Sequence, residues 1–114
     1  MTADNETWLI DTGDSIIRQQ AARGQESLTP LDRLIYCLWV ADYGMRNAGD
    51  LTTGCDLYGS FLEGASQMSQ ELGLRLSQSA FALSRADLEQ QYFERFEAIC
   101  GELRAARHAD SMPR

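Results

Sequence analysis

Thr29-Pro-Leu-Asp-Arg-Leu-Ile-Tyr-Cys-Leu-Trp-Val-Ala-Asp-Tyr-Gly-Met-Arg-Asn-Ala-Gly49 is the most apolar and best punctuated stretch of the chain. Thr29 is suited to cap a helix, because its hydroxyl accepts a free amide proton of the first turn. Pro30 follows at the first helical position, where a missing N–H costs nothing. Asp32 stands three residues after the cap, and its charge suits the positive end of the helix dipole. At the far end Asn47 and Gly49 both tolerate the left-handed turn that closes helices. Start and stop signals therefore agree on about 18 helical residues.

At about 100° per residue, Leu31, Leu34, Ile35, Leu38 and Met45 share one stripe. Tyr36, Trp39 and Tyr43 fall on one flank, with Cys37 and Val40 further round. A helix apolar on most sides is central, with neighbours on several faces. Asp42 is the one charged residue that the period points into that stripe. A buried carboxylate is costly unless paired or hydrogen-bonded, and Arg46, one turn on, is placed to pair with it. The plain reading is that Asp42 ties this helix to a neighbour or to a backbone amide. The alternative is a ligand-facing role in a pocket shared with Tyr43, Arg46 and Asn47.

The rest of the chain reads as further helices. Residues 4–23 carry Trp8, Leu9, Ile10, Ile16 and Ile17, with apolar pairs seven apart. Gly13 weakens the middle of that helix, so a fresh start near Asp14 is an open alternative. Gly24 is a stop, and Gln25–Leu28 a short loop. Asp50 is placed to cap a helix carrying Leu51, Cys55, Tyr58, Leu62 and Ala65, widened by Phe61, Met68 and Leu72 and ended at Gly73. Residues 75–83 lack a clean period and read as a connection with at most a short helical turn, inserting Leu76, Phe81 and Leu83 into the core. Ser84 caps the last helix, whose buried stripe is Leu88, Tyr92, Phe96, Ile99 and Leu103 to about residue 107. The expectation is an all-α single domain over residues 1–114, either an antiparallel bundle or a compact irregular fold of about four helices. Residues 1–5 and 108–114 are expected to fray.

A chain of 114 residues, 44% hydrophobic and 24% charged, is ordinary for one folded domain. No apolar run approaches a membrane span. The acidic start lacks the order of a signal peptide, so a cytoplasmic location is the expectation. Cys37, Cys55 and Cys100 have no metal-ligand or redox spacing, and each reads as a small buried hydrophobe. The single histidine, His108, lies near the chain end, a poor place for a nucleophile–base pair. Gly59-Ser-Phe-Leu-Glu-Gly64 lacks the Lys-Ser/Thr that completes a phosphate loop. Carboxylate pairs capable of acid–base work reduce to Asp42 with Asp50 or Asp56. The expectation is a non-enzyme without metal or cofactor.

The formal net charge is −7, and every basic residue other than His108 is an arginine. That sign opposes direct nucleic-acid binding and suits a basic protein partner. Three segments, residues 1–17, 42–74 and 86–102, each carry a net −4, while residues 103–114 carry +2. Asp87, Glu94, Glu97 and Glu102 fall opposite the buried stripe of the last helix. With Asp50, Asp56 and Glu63 they are the candidate partner-binding acids. Duplex DNA carries one negative charge per about 1.7 Å of axis. Carboxylates held one or two turns apart on a rigid helix can imitate part of that array.

Leu28-Thr-Pro-Leu-Asp-Arg-Leu-Ile-Tyr-Cys-Leu-Trp39, with Tyr43-Gly-Met-Arg-Asn-Ala-Gly49, resembles a bacterial family of small helical proteins. The best-known kind in that family is an acidic DNA mimic, and most members are an uncharacterised domain. In it, a helix ending in an acidic residue and then Asn-Gly-Gly-Phe opens onto the next helix. Here Asp42 stands near the acidic position, and Asn47-Ala48-Gly49-Asp50 takes the place of the four-residue motif. The resemblance implies a cytoplasmic, non-enzymatic protein that binds another protein, such as a DNA-binding repressor or nucleoid protein. Two alternatives stay open: an immunity or antitoxin-like inhibitor of a basic toxin, and a small-molecule binder or minor enzyme with a pocket around Asp42.

Overall fold

Helix α2, Pro30–Ala48, is the axis of the molecule. Thr29 Oγ1 accepts the Asp32 amide at 3.1 Å, Pro30 fills the first position, and Gly49 closes the helix at φ 76°. Leu34, Ile35, Cys37, Leu38, Val40 and Ala41 are completely buried. Burial on so many sides requires several neighbours, and α2 packs against three other helices: Asn5–Arg23 (α1), Phe61–Leu72 (α3) and Arg85–Ser111 (α5). The fifth, α4 (Arg75–Phe81), bridges α3 and α5. The computed structural model describes residues 4–52 and 61–111, and among them every regular element is helical. The radius of gyration of 13.3 Å matches the roughly 13 Å of a single globular domain of this length.

Helix α1 is one continuous helix, so the fresh start near Asp14 does not occur. Asp4 Oδ1 accepts the Thr7 amide at 2.7 Å and caps it. Gly13 is there for packing: a Cβ on it would stand 2.3 Å from Trp39 Cδ1. Leu9 and Ile16 face the core, whereas Ile10, expected beside them, is half exposed. Gly24 ends the helix at φ 85°, and Gln25–Ser27 forms a 3-10 turn that leads the buried Leu28 to α2.

Residues 53–60, including Cys55, Asp56 and Tyr58, lie outside the described residues, so the expected opening of the third helix is not described. From Phe61 onward α3 follows the expected stripe, with Phe61 and Ala65 buried. Ser69 is buried too, and its hydroxyl donates to the Ala65 carbonyl at 2.8 Å. Leu72 is partly exposed rather than in the stripe.

The stretch after Gly73 departs most from expectation. It forms α4, a fifth helix among the described residues, and turns Ser77, Ala80 and Phe81 inward while Leu76 stays half exposed. A seven-residue helix cannot stand alone, and Leu74 offers it no side-chain cap. Its cap comes from α5. The Glu102 carboxylate accepts the Leu76 amide at 2.9 Å, the Ser77 amide at 2.8 Å and the Ser77 hydroxyl at 2.7 Å. Glu102 is therefore not on the open face of α5, as the period suggested, but turned sideways onto α4. The α5 stripe of Leu88, Tyr92, Phe96, Ile99 and Leu103 is buried as expected, with Cys100 beside it. The helix runs past residue 107 to Ser111.

Candidate functional site: the Arg46 face

Where α1, α2 and α5 meet, Asp42 is 5% exposed and fully engaged. Arg46 Nε, four residues on, donates to its two carboxylate oxygens at 2.9 and 3.0 Å. The Tyr92 hydroxyl, from α5, donates to Oδ1 at 2.7 Å. The carboxylate therefore ties α2 to α5, as the structural reading expected. Burial first, and then the Asp42 charge, push the Tyr92 phenol well above its ordinary pKa. It remains a protonated donor through the physiological range.

Arg46 carries this buried contact outward. Its guanidinium lies 4.9 Å from the Phe96 ring centre and 5.3 Å from that of Phe93, within cation–π range. Its Nη1 stands 3.7 Å from Glu6 of α1. Burial works against the Arg46 charge, but attraction and hydrogen bonding from Asp42, with Glu6 behind them, outweigh it and raise its pKa. Beside it a cleft of about 350 Å³ opens between α1 and α2, lined by Glu6, Ile10, Trp39, Asp42, Tyr43, Arg46 and Asn47. Trp39 stacks between Tyr36 and Tyr43, with ring centres 6.1 and 5.7 Å apart and planes within 13° and 22°. Asn47 Nδ2 donates to the Tyr43 carbonyl at 2.8 Å.

The candidate residues Asp42, Tyr43, Arg46 and Asn47 are thus brought together. Ile10, Tyr43 and Phe93 are 50%, 44% and 52% exposed; Ile10 and Tyr43 line the cleft with Arg46, and Phe93 lies against its guanidinium. The sequence reading missed Glu6, Ile10 and Phe93 as members of this face. Phe93 carried a usable signal, since it is a large aromatic lying off the α5 stripe.

The candidate acids separate into two groups. Glu102 caps α4, Glu97 accepts a hydrogen bond from the Asn5 side chain, and Asp50 Oδ1 accepts the Thr52 amide at 3.0 Å. Asp87, Glu94 and Glu63 are exposed, without ion-pair partners among the described residues. Asp56 lies outside the described residues. Elsewhere Asp32 pairs with Arg107 at 2.9 Å and Asp14 with Arg18 at 3.0 Å.

Both described cysteines are buried, and burial pushes the Cys37 and Cys100 thiols up to about 12. They are poor nucleophiles in that state. Among the described residues no group of His, Cys, Asp and Glu is arranged to hold a metal. No described helix is long and apolar enough to cross a membrane. Comparison with protein-family models, with curated proteins and with solved structures gave no match.

Proposed function

We propose that this is a non-enzymatic acidic protein that binds a basic protein partner through the Arg46 face. One observation carries the reading: Phe93 lies under the Arg46 guanidinium, Ile10 and Tyr43 line the cleft that Arg46 shares with Trp39, and all three apolar side chains are about half exposed. Tyrosine, tryptophan and arginine dominate the energetics of protein interfaces, where they fill the desolvated centre. Binding would cover apolar area that folding leaves in water. The net charge of −7 selects a positively charged partner and speeds encounter with it. An acid–base role for Asp42 has less support, because Tyr92 and Arg46 already occupy its oxygens.

DNA mimicry is a narrower form of the same reading. It is favoured by Asp87 and Glu94, both exposed on the outer side of α5 and separated by about 10 Å along the helix axis at 1.5 Å per residue. An immunity-type inhibitor of a basic toxin would use the same chemistry.

The test is capture of basic proteins from the source cell by the immobilised chain at low and high salt, alongside a Tyr43→Ala/Phe93→Ala double variant checked for intact helicity. The expected result is a salt-sensitive basic partner held by the parent and lost by the variant. Equal capture by both would remove the Arg46 face from the function. Absence of any salt-sensitive basic partner would remove the reading as a whole.

A further inference from the structure

We infer that the cleft between α1 and α2 receives the guanidinium of an arginine side chain presented by the basic partner. This rests on the protein-binding reading and names the group that the Arg46 face recognises. At about 350 Å³ the cleft lies at the small end of ligand sites, a size suited to one long side chain. Its walls are Ile10 and the rings of Trp39 and Tyr43. They accept the aliphatic stem of an arginine and offer a flat surface to its planar head. Tyr43 ends the Tyr36–Trp39–Tyr43 stack and is 44% exposed, so a guanidinium laid on it would extend that stack by one member.

Two side chains of the cleft, Glu6 and Asn47, have acceptor capacity to spare. Glu6 has a half-exposed side chain, and its contact with Arg46 at 3.7 Å is too long for a hydrogen bond. Asn47 has spent its amide nitrogen on the Tyr43 carbonyl, and its Oδ1 holds no hydrogen bond among the described residues. Arg46 itself lines the cleft, and its charge is matched by Asp42, to which its Nε is committed. Asp42, Glu6 and Arg46 together leave the cleft one net negative charge, and Glu6 is the more exposed of the two carboxylates. A carboxylate and an amide oxygen beside stacked rings match the fork of donors that arginine carries and the ammonium of lysine does not.

The experiment is a titration of the full ¹⁵N-labelled chain with acetyl-Gly-Arg-Gly-amide and, separately, with its lysine counterpart, followed by backbone amide shifts. The expected result is saturable shifts clustered at Glu6, Ile10, Tyr43 and Asn47 with a Kd in the millimolar range. The lysine peptide should bind several-fold more weakly. Glu6→Gln should weaken the arginine peptide several-fold, and Glu26→Gln, at an exposed residue of the Gln25–Ser27 turn outside the cleft, should leave it unchanged. Absence of saturable shifts at the cleft overturns the inference. Equal response to arginine and lysine, or equal loss in Glu6→Gln and Glu26→Gln, also overturns it, by reducing the effect to general charge. If the Tyr43→Ala/Phe93→Ala variant loses the basic partner while Glu6→Gln keeps it, the protein-binding reading stands and the arginine site falls alone.

Discussion

The Tyr92 hydroxyl lies 2.7 Å from Asp42 Oδ1, inside the junction of α2 and α5. It is a buried phenol supporting a buried carboxylate, and Arg46 completes the set from the solvent side. Removing one donor leaves a buried charged acceptor short of a partner, which costs about 1–3 kcal/mol. Tyr92→Phe should therefore lower the unfolding free energy by about that amount in urea denaturation, with little change in the slope against denaturant. Asp42→Asn should also destabilise, and the two changes should be non-additive, with a coupling of roughly 0.5–3 kcal/mol. Strict additivity would mean that the hydrogen bond contributes nothing in solution.

How far this junction was legible depends on which forces are local. Asp42 announced itself, because a lone carboxylate at a core position of a well-capped helix needs a partner. Arg46, one turn away, followed from helical spacing. Tyr92 did not, since its partner is 50 positions distant and its own stripe reads simply as apolar. The same limit applies to α4. Its first turn depends on the Glu102 carboxylate reaching over from α5, and nothing within residues 75–83 signals that. Of the Arg46 face, only the α2 part, Asp42, Tyr43, Arg46 and Asn47, was legible. The whole face is assembled from α1, α2 and α5, and Ile10 looked like a core residue until packing turned it outward.

The dependence of α4 on Glu102 is open to a local test. Hydrogen bonds to a charged acceptor contribute about 1.5–3 kcal/mol each in favourable settings, and among the described residues this helix has no other N-terminal side-chain cap. In Glu102→Ala, amide hydrogen exchange across Arg75–Phe81 should accelerate by at least tenfold. Exchange in the centre of α2 should change far less, because local opening does not require global unfolding. Uniform acceleration in both helices would show that α4 and α2 open as one unit.

Alkaline pH should destabilise the fold. Cys37 and Cys100 are pushed up from 9 to about 12 by burial, with the Asp42 charge adding to the effect at Cys100. Tyr92 is raised from its ordinary 10 by burial and by Asp42. Each of these groups is neutral when protonated and gives up its proton more readily in the unfolded chain. The folded state therefore holds more protons from about pH 9 upward, so its stability is complete below that point and falls as pH rises. The limiting slope is about 1.4 kcal/mol per pH unit for each proton. Urea midpoints taken from about pH 8 to about pH 10.5 should decline with increasing steepness. Cys37→Ala should flatten the curve from its onset, and Tyr92→Phe only above about pH 10. A flat profile across the window would show that these groups titrate alike in both states.

Gly13 and Gly101 offer matched positions with opposite expectations. Both sit inside helices, where alanine is favoured over glycine by roughly 1 kcal/mol. A Cβ at Gly101 meets nothing within 4 Å, whereas one at Gly13 would stand 2.3 Å from Trp39 Cδ1 and 2.8 Å from its Cγ. Trp39 has little room to yield, because Tyr36 and Tyr43 stack on either side of it. Overpacking of this kind costs about 1–3 kcal/mol, enough to cancel or exceed the gain in helix propensity. Gly101→Ala should raise the melting temperature, and Gly13→Ala should lower it. Trp39→Leu, which removes the indole, should turn Gly13→Ala from destabilising to neutral or stabilising in that background. Should Gly13→Ala alone stabilise the protein as Gly101→Ala does, the indole is not held against α1, and the wall it gives the cleft is softer than the stacking geometry requires.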